Sequence, residues 1–176
     1  GSEVCPSDPL GPAPFRELCN ATHLGRRNSD EVRAVRRGEP VILWADTFSN
    51  YFRPETALAA AQVLEAAGCR VSLPPDRLCC GRPYYDFGML DAARAALDRI
   101  LQALGASIYS GTPVVGLEPS CVAVFRDELA RLFPDDERAK RLAKQTFTLA
   151  EYLERIDWKP PGAAGGPRVR ALVHGH

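Results

Sequence analysis

Residues 41–75 read VILWADTFSNYFRPETALAAAQVLEAAGCRVSLPP. The opening run, Val41 to Ala45, is apolar without alternation, as in a strand buried on both faces. Pro54 suits the first turn of a helix over Glu55 to Ala67, because its missing N–H costs nothing there. Gly68 closes that helix. Arg70 to Leu73 reads as a second strand, stopped by Pro74-Pro75. A strand, a helix and a strand in this order predict a βαβ crossover and a parallel sheet.

Downstream the alternation continues. The loop Arg77-Leu78-Cys79-Cys80-Gly81-Arg82-Pro83 follows the second strand. Asp91 to Leu104 is an amphipathic helix ending at Gly105. Pro113 to Leu117 is a third strand, and Glu118-Pro119-Ser120-Cys121 is the turn after it. Helix follows over Val122 to Leu132, Glu137 to Lys144 and Thr148 to Arg155. Pro160 to Pro167 is a Pro/Gly/Ala linker, and Val169 to Val173 is one more strand. Upstream, residues 1–40 are rich in proline and then in charge. They read as an irregular arm, or the remnant of a preceding domain, with a short helix around Ser29 to Arg37 capped by Ser29. The predicted fold class is therefore α/β, a Rossmann-like parallel sheet with βαβ crossovers.

Composition narrows the function. The 22 basic and 22 acidic residues cancel among 176, which gives no reason to expect nucleic acid or an anionic membrane as partner. Apolar runs such as Ala57 to Ala61 are far short of a membrane span. No charged segment followed by an apolar one opens the chain, so no secretory leader is expected. The six cysteines, Cys5, Cys19, Cys69, Cys79, Cys80 and Cys121, then point to metal or redox chemistry in a reducing, cytoplasmic setting rather than to a disulfide framework.

In open parallel sheets, functional groups gather beyond the carboxyl ends of the strands. Three loops meet that description: Asp46-Thr47-Phe48, Cys79-Cys80-Gly81 and Glu118-Pro119-Ser120-Cys121. The fold thus brings Cys79, Cys80 and Cys121 to one rim, although Cys80 and Cys121 are 121 − 80 = 41 positions apart. Adjacent thiolates can share a metal or cluster if the chain turns sharply, and Gly81 permits that turn. Thiolates favour zinc, copper(I) and iron–sulfur clusters. Glu118 is the candidate fourth ligand. Arg77 and Arg82 are expected to offset the thiolate charge and lower the thiol pKa values. The plain alternative is that Cys79 and Cys80 are small buried residues with no ligand. Cys69, at a strand start, reads as core. Asp46 reads as a cap for the next turn, with a ligand or base role as the alternative. The aromatics of Asn50 to Pro54 and Tyr84 to Phe87 border the same rim.

These residues resemble a known family. Leu78-Cys79-Cys80-Gly81-Arg82-Pro83 followed by Glu118-Pro119-Ser120-Cys121 is similar to the CCG cysteine-rich domain. That domain occurs in heterodisulfide reductase B subunits, glycolate oxidase iron–sulfur subunits and the C subunit of anaerobic glycerol-3-phosphate dehydrogenase. The stretch Leu43 to Glu55 resembles a branch fused behind an FAD-binding oxidase domain and a ferredoxin-like module. Members of that branch act on D-lactate, glycolate or D-2-hydroxyglutarate. The resemblance implies a first repeat plus the start of a second over residues 41–176. It implies a flavin-linked 2-hydroxyacid oxidoreductase as the parent protein, with this chain passing electrons and not catalytic alone. FAD would belong to the parent, since this chain has no flavin-binding motif. The implied partners are the flavin-binding oxidase domain and the ferredoxin-like module, in the cytoplasm or peripheral to the membrane.

The chain departs from the family pattern at two positions. Thr47 stands in place of a lone cysteine, and Glu118 in place of the first cysteine of Cys-x-x-Cys. Cys79, Cys80 and Cys121 remain. Three thiolates leave open a simple iron–sulfur cluster of the 4Fe-4S kind, a zinc ion or no metal. The functions that compete are an electron-transfer module, a structural docking module and a thiol-redox module.

Overall fold

The structure, a computed structural model, describes residues 38–75 and 77–162. The arm at residues 1–37, most of the 160–167 linker and the strand expected over Val169 to Val173 lie outside the described residues. So do Cys5, Cys19 and the three histidines.

The apolar run forms β1, Pro40–Trp44. Asp46 caps a short helix, α1, Thr47–Tyr51, and α2 follows over Pro54–Ala66 with Pro54 in its first turn. The second strand is β2, Arg70–Ser72. After the cysteine loop come α3, Arg82–Asp86, α4, Leu90–Ala103, and α5, Gly105–Tyr109. The third strand is β3, Val114–Gly116. The helix expected over Val122 to Leu132 is in three parts: α6, Pro119–Ala123, a π-helical turn, Val124–Glu128, and α7, Leu129–Leu132. The last described elements are α8, Glu137–Gln145, β4, Thr146–Thr148, and α9, Leu149–Arg155.

The four strands form one parallel sheet in the order β2-β1-β3-β4. Alternate residues of β1 feed two different cores. Ile42 and Trp44 join Val114 and the apolar faces of α4, α5, α7 and α8, including Leu97, Ile100, Phe125 and Leu142. Val41 and Leu43 join Val71, Val115, α2 and Tyr152 on the other face. A strand clothed on both faces must be apolar throughout, as Val-Ile-Leu-Trp is. At the heart of the first core, Trp44 meets Phe125 edge to face, with ring centroids 4.8 Å apart.

The α/β parallel architecture matches the expectation. The strand at Thr146–Thr148 is an addition. Its three residues, Thr-Phe-Thr, are β-branched or aromatic but too few to show a period between two helices.

Candidate metal and thiol site

In the order β2-β1-β3-β4 the chain leaves β1 to one side for β2 and to the other for β3. The topological switch point therefore lies beyond the carboxyl ends of β1 and β3, where open α/β sheets place their sites. Asp46 and Thr47 follow β1, and Glu118 to Cys121 follow β3. The cysteine loop reaches the same place from β2.

Gly81 makes that reach possible. Its φ of +81° is a left-handed conformation that costs glycine nothing. A Cβ there would also press on Ala96 of α4, 3.3 Å away. The turn sends α3 away from the sheet and leaves Cys80 pointing into the first core, 4% exposed. Cys121, in the first turns of α6, is 6% exposed. The two sulfurs are 3.0 Å apart, with the Cys121 thiol donating to Cys80. Cys79 is exposed. Cys80, the Gly81 N–H and the Thr47 hydroxyl are the polar groups around its sulfur, and the Arg82 N–H faces Cys80. The structure therefore joins Thr47, Cys79, Cys80 and Cys121 in one chain of contacts.

The arginines do not lower the thiol pKa values. Arg82 is committed to Asp86 at 2.9 Å and to Glu128 at 2.8 Å, so its charge is spent on carboxylates. Hydrogen bonding to Cys80, and then burial, raises the Cys79 pKa well above the ordinary thiol value. Cys80 is pushed up to about 12, first by its bond with Cys121. Cys79 and Cys80 are therefore held as thiols, contrary to the expectation from charge alone, because sulfur contacts and burial outweigh the arginines.

Glu118 sits at the N-cap of α6, and its carboxylate accepts from the Ser120 N–H at 3.3 Å and from the Ser120 hydroxyl at 2.9 Å. Asp46 is a buried cap, accepting from the N–H groups of Phe48 and Ser49 at 2.8 and 3.0 Å and from the Ser49 hydroxyl. Its carboxylate is thus used in holding Thr47 at the rim. Cys69 lies apart, in the second core, with its thiol 3.9 Å from the Tyr152 hydroxyl. Burial raises the pKa of both groups. The residue type of Thr47 alone does not reveal its place beside Cys79; its position after β1 and the family resemblance do.

A small cavity of about 40 Å³ lies beside the site, between Trp44, Thr47, Asn50, Tyr51, Arg77 and Leu78. At about 10–15 Å³ per water it has room for roughly three. The rim around it carries exposed aromatics, Phe48 and Phe52 at 64% and 67% exposed and Phe87 at 82%.

The donor set suits a thiolate-bound metal in kind, because zinc and iron–sulfur centres take cysteine sulfur. The spacing is that of hydrogen-bonded thiols. Sulfurs sharing a tetrahedral zinc stand about 3.8 Å apart, so the Cys80–Cys121 pair would have to open by about 0.8 Å. Among the described residues no three His, Cys, Asp or Glu side chains stand in the arrangement of a metal cage.

Comparison with known proteins places part of the chain. The family model "CCG: Cysteine-rich domain" matches residues 46–126, which begin at the Asp46 cap and run through all three rim cysteines. Lactate utilization protein A of Bacillus subtilis (strain 168) is 32% identical over 120 residues, 66% of this chain and 48% of that protein. Lactate utilization protein A of Geobacillus kaustophilus (strain HTA426) is 32% identical over 117 residues, 64% of this chain and 47% of that protein. The chain thus spans about half the length of the curated relatives it matches. No solved structure is a significant match. Residues 46–126, with Cys79, Cys80 and Gly81 near their middle, match the CCG cysteine-rich domain family.

Proposed function

We propose that the chain is the iron–sulfur-type cysteine-rich domain of a flavin-linked 2-hydroxyacid oxidoreductase, and that it serves electron transfer. The convergence of Cys79, Cys80 and Cys121 beyond the switch point carries this reading. The names of the relatives, lactate utilization protein A, favour lactate among the hydroxyacids. The FAD, the oxidase domain that binds it and a ferredoxin-like module belong to the parent assembly. The setting is the cytoplasm, where thiols stay reduced, or its membrane periphery; no helix among the described residues is long and apolar enough to cross a membrane.

Cys79, Cys80 and Cys121 would be the ligands, with Glu118 or Thr47 beside the open position. A bound cluster would supply one-electron redox chemistry. The protein's part is to hold the sulfurs. The N–H groups of Gly81 and Arg82 already point at Cys79 and Cys80, and such donors stabilise sulfur in its anionic, ligating form. The core around Trp44, Phe125 and Leu97 shields Cys80 and Cys121 from water. Metal uptake releases protons, because the thiols must ionise to bind.

The test is the iron, zinc and inorganic sulfide content of protein purified without oxygen, together with its visible spectrum. Iron with sulfide and a broad brown absorption is the expected result. One zinc without sulfide favours the docking module instead. Cys80→Ser is expected to abolish binding, and unchanged stoichiometry in that variant would remove Cys80 from the site.

A further inference from the structure

Of the three rim cysteines one is open and two are enclosed. Cys79 is exposed, Cys80 is 4% exposed and Cys121 is 6% exposed. Cys79 is the chain neighbour of Cys80, and Cys80 touches Cys121 at 3.0 Å. That last distance is shorter than an ordinary sulfur–sulfur contact, and about 1 Å longer than a covalent bond. The backbone at both ends is anchored. Gly81 is wedged against α4, and Cys121 lies in a helix whose N-cap is tied down by Glu118. Two enclosed thiols are thus held at near-bonding distance, with a third as the way in.

We propose that Cys80 and Cys121 are a redox dithiol that exchanges with an external disulfide, entered through Cys79. The inference concerns the same sulfurs before any metal is bound, and it does not rest on the metal-binding reading. A small disulfide of the glutathione class is the oxidant. The Cys79 thiol attacks one of its sulfurs and forms a mixed disulfide, its proton leaving with the small thiol that is released. Cys80 then attacks the Cys79 sulfur and releases the second small thiol. Cys121 attacks Cys80, and Cys79 leaves as a thiol. In sum, two protein thiols and one small disulfide become one Cys80–Cys121 disulfide and two small thiols. Two electrons and the two protons pass to the small molecule. The last attack joins sulfurs already in contact, and the vicinal Cys79–Cys80 bond, which is strained, occurs only in passing.

The disulfide removes two of the three thiolate donors, so the oxidised chain is closed to metal. The experiment equilibrates the whole, metal-free chain with glutathione and oxidised glutathione. The reaction is quenched with acid, free thiols are alkylated, and linked peptides are mapped by mass spectrometry with fragmentation between positions 79 and 80. Pairing of Cys5 with Cys19 gives a separate peptide and does not interfere. The expected result is a Cys80–Cys121 link that dithiothreitol reverses. In Cys79→Ser the same link forms, at least tenfold more slowly. Cys80 and Cys121 both alkylated at equilibrium would overturn the inference. So would a stable Cys79–Cys80 link, or a wild-type rate in Cys79→Ser. Wild-type mapping needs no substitution, so a misfolded variant cannot hide the answer. Iron or zinc uptake without the link would sink this inference and leave the metal reading standing.

Discussion

The side chain at position 47 is a hydroxyl beside Cys79, where the family resemblance places a fourth thiolate. Thr47→Cys should therefore tighten metal retention by about tenfold or more, one extra thiolate being worth at least about 1.4 kcal/mol. Competition against a graded chelator series checks it, and unchanged affinity would mean that position 47 does not reach the metal. Glu118 needs a different probe, because its carboxylate both caps α6 and stands three residues before Cys121. Glu118→Gln keeps an acceptor for Ser120 and removes the charge. Metal content should hold if Glu118 is a cap, and should fall if it is a ligand. The cysteines and their glycine were legible in the sequence because their residue types name their chemistry. The raised thiol pKa values of Cys79 and Cys80 were not, because they depend on burial and on sulfur contacts, one of them to Cys121 far along the chain, and these outweigh the arginines.

At the scale of elements, β3 ends in Gly116, which pairs with Trp44 across the sheet. A Cβ on Gly116 would lie 2.6 Å from the Val122 side chain, which is buried in α6 beside Cys121. Gly116→Ala should destabilise the fold by about 1–3 kcal/mol through overpacking and should displace Cys121 relative to Cys80. Urea unfolding measures the first effect, and loss of the Cys80–Cys121 link would report the second. The strands and long helices were legible because each presents a buried run or a full period: Val41 to Ala45, Glu55 to Ala67, Asp91 to Leu104. The elements missed were the short ones, α1, α3, α5 and β4, each of three to five residues. So few residues cannot complete a hydrophobic stripe, and their structure is set by caps and by the sheet. β4 exists because Thr146, Phe147 and Thr148 find partners on β3.

The whole molecule is held at one end by the clasp of α9. Arg126, one turn beyond Cys121, bonds Glu151 at 2.6 Å and the Thr146 carbonyl at 2.9 Å, joining the helix that carries Cys121 to β4. Glu151 also completes a capping box with Thr148. The Arg126 guanidinium, with the Thr148 N–H next, lowers the Glu151 carboxyl from 4.5 to about 2. A carboxyl depressed by folding stabilises above its unfolded pKa and loses that contribution as pH falls. The acid limb of stability should therefore steepen between about pH 4.5 and pH 2, and Glu151→Gln should flatten it in thermal melts across that range. A different consequence follows from the strand order. β1 is interior, and its partners lie 70 − 40 = 30 and 114 − 42 = 72 residues downstream. A ribosome adding about 5–20 residues per second needs roughly 4–14 s to deliver the second partner. For that time Val-Ile-Leu-Trp is already synthesised with one edge bare. The hazard for this fold thus falls during translation, and a chaperone that shields apolar segments on nascent chains should matter more for its yield than the stability of the finished domain.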